Sequence, residues 1–291
     1  MKVLVTGASG FIGRNLLPRL SSSHELFPVV RDADAIAAQW GRPVVANLVE
    51  KLPETELPDE IDVVIHLAQS NAGFPAGAKD LFAVNTASTQ NLLDYARKAG
   101  ARRFVLASSG DVYGKAAGLL TESDQARPAG YYATTKYASE LLVNSYSDCL
   151  APCILRLFHP YGPGQRGRLI PKLAARIARR EPVEVDKVGG PSVSPIYVDD
   201  VVDAFEKVLD SSGSGLFNVA GDRRLSMMEL AREIGVVIGV EPLFWDRGGD
   251  PADMMGDNSL MRGVLGVSPK IGLGEGLLRT LTPELRYKSH D

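Results

Sequence analysis

Lys2-Val-Leu-Val-Thr6 runs directly into Gly7-Ala-Ser-Gly10-Phe-Ile-Gly13, and Arg14-Asn-Leu-Leu-Pro-Arg-Leu20 follows without a break. The first segment is a short apolar strand, and the last carries helical apolar spacing at Leu16, Leu17 and Leu20. Strand, glycine turn and helix in that order form a cradle for a dinucleotide. Gly7 allows the tight turn, Gly10 lets the backbone approach a pyrophosphate, and Gly13 lets helix and strand pack closely; the helix N-terminus faces the phosphates. The spacing is G-x-x-G-x-x-G rather than G-x-G-x-x-G.

Outward from this unit the chain alternates. Strands are expected at 2–6, 26–31, 43–46, 62–67, 103–108 and 153–158, and helices near 11–21, 33–39, 78–99, 131–149 and 168–179. That alternation implies an α/β fold, a doubly wound parallel Rossmann sheet with helices on both faces. Pro28 sits awkwardly in the second strand because proline lacks a ladder donor, so a bulge or a late strand start is expected there. Beyond Tyr161-Gly-Pro-Gly164 the pattern loosens into Gly- and Pro-rich sequence, the mark of a smaller substrate-binding lobe.

Tyr132-Ala-Thr-Thr-Lys136 places a phenol and an ammonium four residues apart, on one face of the expected helix. A nearby cation favours the phenolate, which brings a tyrosine of ordinary pKa about 10 towards neutral working pH. Ser108-Ser109 lies upstream, where a hydroxyl would hold a substrate oxygen. Together these residues suit proton transfer at an alcohol or carbonyl.

With TGASGFIG at 6–13, VIHLAQ at 64–69, Asn85 at a helix head, LASSGDVYG at 106–114, YYATTKYASE at 131–140, LRLFHPYGPGQ at 155–165, IYVDDVVDA at 196–204 and RGGDPAD at 247–253, nearly the whole chain resembles one family. It is similar to the extended short-chain dehydrogenase/reductases, the NAD(P)-dependent epimerase/dehydratase group that acts on nucleotide sugars. The resemblance implies a Rossmann domain over 1–165 plus about 194–220, and a substrate lobe over about 166–193 and 221–291. It makes Ser109 the catalytic serine, Tyr132 the acid/base, and Lys136 the support that also holds the nicotinamide ribose. It assigns the cofactor to Gly7, Gly10, Phe11, Ile12, Gly13, Asn47, Leu48, Leu67, Ala68 and Lys136. Asn85 has the look of a structural residue that bonds backbone near the site.

Several positions depart from the family pattern. Dehydratases carry an adjacent Asp-Glu pair before V-Y-G; here Gly110 takes the first place and Asp111 the second, so the acid for a 4,6-dehydration is missing. Asp111 is left to bind a sugar hydroxyl, to act as a base, or to serve as a hydrogen-bonding wall residue. Arg31 falls where NAD-using relatives carry an acidic side chain, and an arginine fits a 2′-phosphate. The alternative is that Arg31 stacks on adenine and Asp32 takes the ribose; NADP is favoured over NAD. Val193-Ser194 replaces the usual Arg-Asp pair, so one diphosphate clamp is absent, while Arg247 retains the second. His159 stands in place of a family asparagine and either faces the sugar or its phosphate or is an ordinary packed histidine. Arg166 and Arg168 are either replacement charge or solvated side chains.

At 291 residues, 45% hydrophobic and with a net charge of −3, the chain can bury a large core and shows no basic stripe for nucleic acid. No run of 18 apolar residues suggests a membrane span, and no leader is expected. Cys149 and Cys153 have neither metal nor disulfide spacing, so no metal is expected and a reducing cytoplasm is the expected location. A homodimer through the helices near 78–99 and 131–149 is implied by the resemblance. Three functions compete: epimerase or ketoreductase at a sugar carbon, C4, of a nucleotide-activated hexose; NADPH-dependent reductase of a non-nucleotide carbonyl; and a non-catalytic dinucleotide-binding regulator.

Overall fold

The structure, a computed structural model, describes residues 1–50, 52–53, 55–115, 118–210 and 214–288, with side chains to Thr282. Seven strands form the main sheet: β1 (Lys2–Thr6), β2 (Glu25–Val30), β3 (Val44–Val45), β4 (Val63–His66), β5 (Arg103–Ser109), β6 (Ala151–Leu157) and β7 (Gly215–Val219). Their order is β7-β6-β5-β4-β1-β2-β3, with parallel registers such as Val5↔Ile65 and Ile65↔Val105. The order reverses between β1 and β4. Right-handed crossovers then put α1 (Phe11–Leu20) on one face, and α2 (Ala78–Phe82), α3 (Ser88–Lys98) and α4 (Tyr131–Ser145) on the other. Leu4, Val64, Phe104 and Leu106 of the strands meet Leu92, Leu93 and Ala96 of α3 and Val143 of α4 in a buried core. Each large apolar side chain removed from water there contributes about 1.5–3 kcal/mol.

Pro28 needs neither a bulge nor a late start. It lies inside β2, in register with Val5. Arg42 N donates to Leu26 O and Ala46 N to Val30 O, so residues 26, 28 and 30 turn their backbone groups towards β3. β3 pairs only with Val29 and Val30, and the missing donor of Pro28 falls beyond it.

The expected helix at 33–39 is replaced by two 3-10 turns, Ala33–Ala35 and Ala38–Trp40. Asp32 caps the first by accepting from Asp34 N at 3.1 Å, and Ile36 is extended and buried. A local carboxylate bond and one buried apolar residue outweigh the alanine-rich helical propensity. The expected helix at 78–99 forms in three parts, because Ala83–Ala87 is a π-helical turn between α2 and α3.

The chain divides into two compact units. The first comprises Met1–Gly114, Gln125–Arg156 and Val202–Phe217; the second comprises Lys115–Asp124, Leu157–Val201 and Asn218–Asp291. Within the second, Pro160–Tyr161 pairs in parallel with Ile196–Tyr197 and Val183–Val185 with Phe244–Asp246, while Ser192–Val193 pairs antiparallel with Leu225–Ser226. The helix Met227–Ile238 opens on a capping box, Ser226 with Glu229, and closes on Gly239 at φ 70°.

Candidate active site

The C-terminal ends of β1, β4 and β5 carry the groups of interest in the first unit, where a doubly wound sheet places its ligands. Gly7 turns at φ 65°, and a Cβ there would stand 2.6 Å from Ala68 N. A Cβ on Gly13 would stand 2.4 Å from Ala8 O, so α1 can lie against the turn only with glycine at that position. Gly10 is the exposed N-cap; no side chain caps α1 and its first turn holds no acidic residue. Arg14 N makes the helical bond to Gly10 O, which leaves the amides of Phe11, Ile12 and Gly13 ahead of the ladder. Three N–H groups at an uncapped helix start, approached across a glycine, fit a pyrophosphate.

A buried polar chain runs beneath this cradle. Thr6 Oγ1 accepts from Ala68 N at 3.3 Å and meets His66 Nδ1 at 2.6 Å. Thr89 Oγ1 donates to Asn85 O at 2.8 Å, so it accepts from His66 Nε2 at 3.1 Å. His66 therefore carries its proton on Nε2 and accepts from Thr6. Burial, and then the charge of Lys136, hold it down to about 3, so the ring is neutral at any working pH. Asn85 Oδ1 accepts from Ser70 N at 2.7 Å, and its Nδ2 donates to Thr135 Oγ1 at 3.0 Å on α4. The π-helical turn exposes the Asn85 carbonyl to the hydroxyls of Thr89 and Ser139.

α4 packs against β5 and presents Tyr132 and Lys136 one turn apart. Tyr132 Oη donates to Gln69 Oε1 at 2.9 Å. Lys136 is 1% exposed; burial pushes it down to about 8, against the upward pull of Glu140. Ser109 closes β5, donating to Asp111 Oδ2 at 2.9 Å and accepting from Asp111 N at 3.2 Å. Behind Lys136, Glu140 accepts from Ser108 and, bidentate, from Arg156 Nε at 3.0 Å and Nη2 at 2.6 Å. Sequence reasoning passed over Gln69, His66, Glu140 and Arg156. Only Glu140 left a signal, a charged residue four positions past Lys136 on the same face.

The remaining candidates are dispersed. Arg31 and Asp32 are exposed after β2, with Asp32 engaged in its own turn. Asn47 bonds Glu50 and Val49 N, and Leu48 leans on the core. In the second unit Arg247 donates from Nε and Nη2 to Asp186 at 2.6 and 3.2 Å. The bond to Asp186 raises its basicity, and the same bond lowers that of Asp186. Val193 and Ser194 are buried, with Ser194 Oγ accepting from Gly256 N at 2.9 Å, so neutral packing fills the place of the family arginine. His159 adopts a left-handed φ of 46°, and its carbonyl accepts from Ile196 N. Arg166 and Arg168 are exposed. Among the described residues no cluster could hold a metal ion, and no helix is long and apolar enough to cross a membrane.

A family model described as NAD dependent epimerase/dehydratase family matches residues 3–220. The chain belongs to that family. It is an enzyme of the extended short-chain dehydrogenase/reductase type, NAD(P)-dependent. Among its relatives is the UDP-glucose 4-epimerase of Mycolicibacterium smegmatis, 32% identical over 97% of this chain and 97% of its own length. The low-salt glycan biosynthesis protein Agl12 of Haloferax volcanii is 32% identical over 82% of this chain and 83% of its own. A solved structure of MoeE5 in complex with UDP-glucuronic acid and NAD superposes with a TM-score of 0.86, at 31% identity, over 99% of this chain and 100% of that one.

Proposed function

We propose that this chain oxidises and re-reduces C4 of a nucleotide-activated hexose, with Tyr132 as acid/base and NAD as the retained cofactor. The single observation that carries the chemistry is Lys136, buried one turn behind Tyr132 on the helix that packs against β5, its pKa pushed down to about 8. Lys136 stabilises the Tyr132 phenolate, which takes the proton from the sugar hydroxyl. Ser109, oriented by Asp111, holds the same oxygen through the reaction. The nicotinamide, when bound, supplies the hydride acceptor. Gly7, Gly10 and Gly13, with the first amides of α1, would hold its pyrophosphate, and Lys136 would hold the nicotinamide ribose. Tyr132 would return the proton to the same oxygen when C4 is re-reduced, and the face of the keto sugar presented at that point would decide between inversion and return to the substrate.

The nucleotide-sugar reading draws on the UDP-glucose 4-epimerase and MoeE5 relatives. Arg31 argues for a 2′-phosphate, but the NAD bound by MoeE5 argues against it, and Asp32 beside Arg31 would repel that phosphate. The reading is therefore NAD. A second reading, reduction of a non-nucleotide carbonyl compound, is favoured by two observations: Val193 is buried where a phosphate-gripping arginine is expected, and Arg247 is engaged by Asp186. Incubating the enzyme with UDP-glucose and UDP-glucuronic acid, each followed for C4 inversion by NMR, separates the two. Inversion of either sugar supports the first reading; inertness of both, with no competition from UDP, sinks it.

A further inference from the structure

Tyr132, Lys136 and Glu140 occupy successive turns of α4 on one face, and each of the first two has a role in the reading above. Glu140 is 2% exposed and cannot meet solvent or substrate. Three segments of the first unit converge on it or on its partner. Ser108 of β5 donates to it, Arg156 of β6 grips both its oxygens, and Tyr113 in the turn after β5 lies under the Arg156 guanidinium at 4.5 Å. One turn earlier on α4 is the buried Lys136 ammonium, whose charge also bears on the neutral His66 of β4. A buried ion pair is not required for packing, since apolar side chains of the same volume stabilise a core as well or better. Its cost points to an electrostatic task.

We propose that Glu140, held by Arg156 and Ser108 one turn behind Lys136, is a positioning residue that keeps the Lys136 ammonium charged and so sets the alkaline limit of cofactor grip. This rests on the reading of Lys136 as the ribose-holding cation. Burial lowers Lys136 to about 8, close to working pH, and Glu140 is the group that opposes the fall. Without its carboxylate the fall continues and the ammonium loses its proton within the neutral range. Arg156 is the cation fixed to Glu140, and its own sign can only deepen that loss.

The test is the affinity for NADH from pH 6 to 10, read by fluorescence energy transfer, in the wild type, Glu140→Gln and the charge-free pair Glu140→Leu/Arg156→Met. The wild type is expected to weaken about tenfold above a break near pH 8, the loss of one charge-assisted bond. In both variants the break moves down by about one pH unit or more, with affinity at pH 6 within a few-fold of wild type. A break that stays near pH 8 in a folded variant overturns the proposal, whatever the uniform loss of affinity. Failure of every variant to fold also overturns it, because the pair is then scaffold. Lys136→Met checks the premise separately: NADH affinity and pH dependence unchanged by it would mean that the reading of Lys136 is what failed.

Discussion

His66 shows what a single buried side chain commits the molecule to. It is fully enclosed, bonded at both ring nitrogens, and held neutral. Its pKa is about 3 folded and about 6.5 unfolded, so between those values the unfolded chain binds the extra proton. Stability on this account is present above pH 6.5 and is lost as pH falls towards 3. The loss from pH 7 to pH 5 is about 2 kcal/mol, set by the unfolded value alone. Urea unfolding at the two pH values should show this extra slope in the wild type and lack it in His66→Gln. Tyr132→Phe belongs to the same scale. It removes the transferable proton and keeps the ring, so turnover should fall by about 100-fold or more while NADH affinity holds. Turnover within a few-fold of wild type would discard Tyr132 as acid/base. The shared helical face of Tyr132 and Lys136 was legible from spacing, and the roles proposed for them came from the other motifs around it. Gln69 and Arg156 were not legible, because each meets its partner across more than a dozen residues of chain.

At the scale of elements, glycine positions separate into those that make room and those that merely weaken a helix. In the helix Leu273–Lys288, a Cβ on Gly276 would stand 2.3 Å from Tyr161 Oη, whereas Gly274 is exposed and meets nothing within 4 Å. Gly274→Ala should stabilise by about 0.5–1 kcal/mol through lost chain entropy. Gly276→Ala should destabilise by about 1–3 kcal/mol through overpacking. Equal melting shifts for the two would contradict this geometry. Gly13→Ala, against the backbone oxygen of Ala8, should resemble Gly276→Ala and also abolish NADH binding. The first strand, turn and helix were readable because all three obey local rules. The helix expected at 33–39 failed because Ile36 is drawn into the interior, a tertiary demand that alanine-rich propensity cannot reveal. The π-helical turn at Ala83–Ala87 was equally hidden, since the hydroxyl of Ser139 that reaches the Asn85 carbonyl comes from another helix.

For the whole molecule, two outcomes follow from the proposed reading. An epimerase that regenerates its cofactor at each turnover gains nothing by releasing it. Native mass spectrometry of the freshly purified protein should therefore show bound NAD; an empty site with stronger affinity for NADPH than NADH would return the argument to Arg31. Phe82 of α2 and Leu141 of α4 leave 52% and 54% of their surfaces exposed on helices that pack together. We propose that a homodimer covers them. Light scattering should give twice the 31.2 kDa chain mass at micromolar concentration. Phe82→Glu/Leu141→Glu should give the monomer, and a monomeric wild type would refute the assembly.

The sequence by itself determined the class of fold, the glycine turn into α1 and the Tyr132–Lys136 face, because strand and helix periods and glycine spacing act over a few residues. Only the tertiary structure decided how those groups are charged and held. The tautomer of His66, the lowered Lys136, the Glu140–Arg156 pair and the capture of Arg247 by Asp186 all depend on burial and on partners far away in the chain. A side chain's proton affinity follows from what surrounds it in space, and spacing along the sequence does not carry that information.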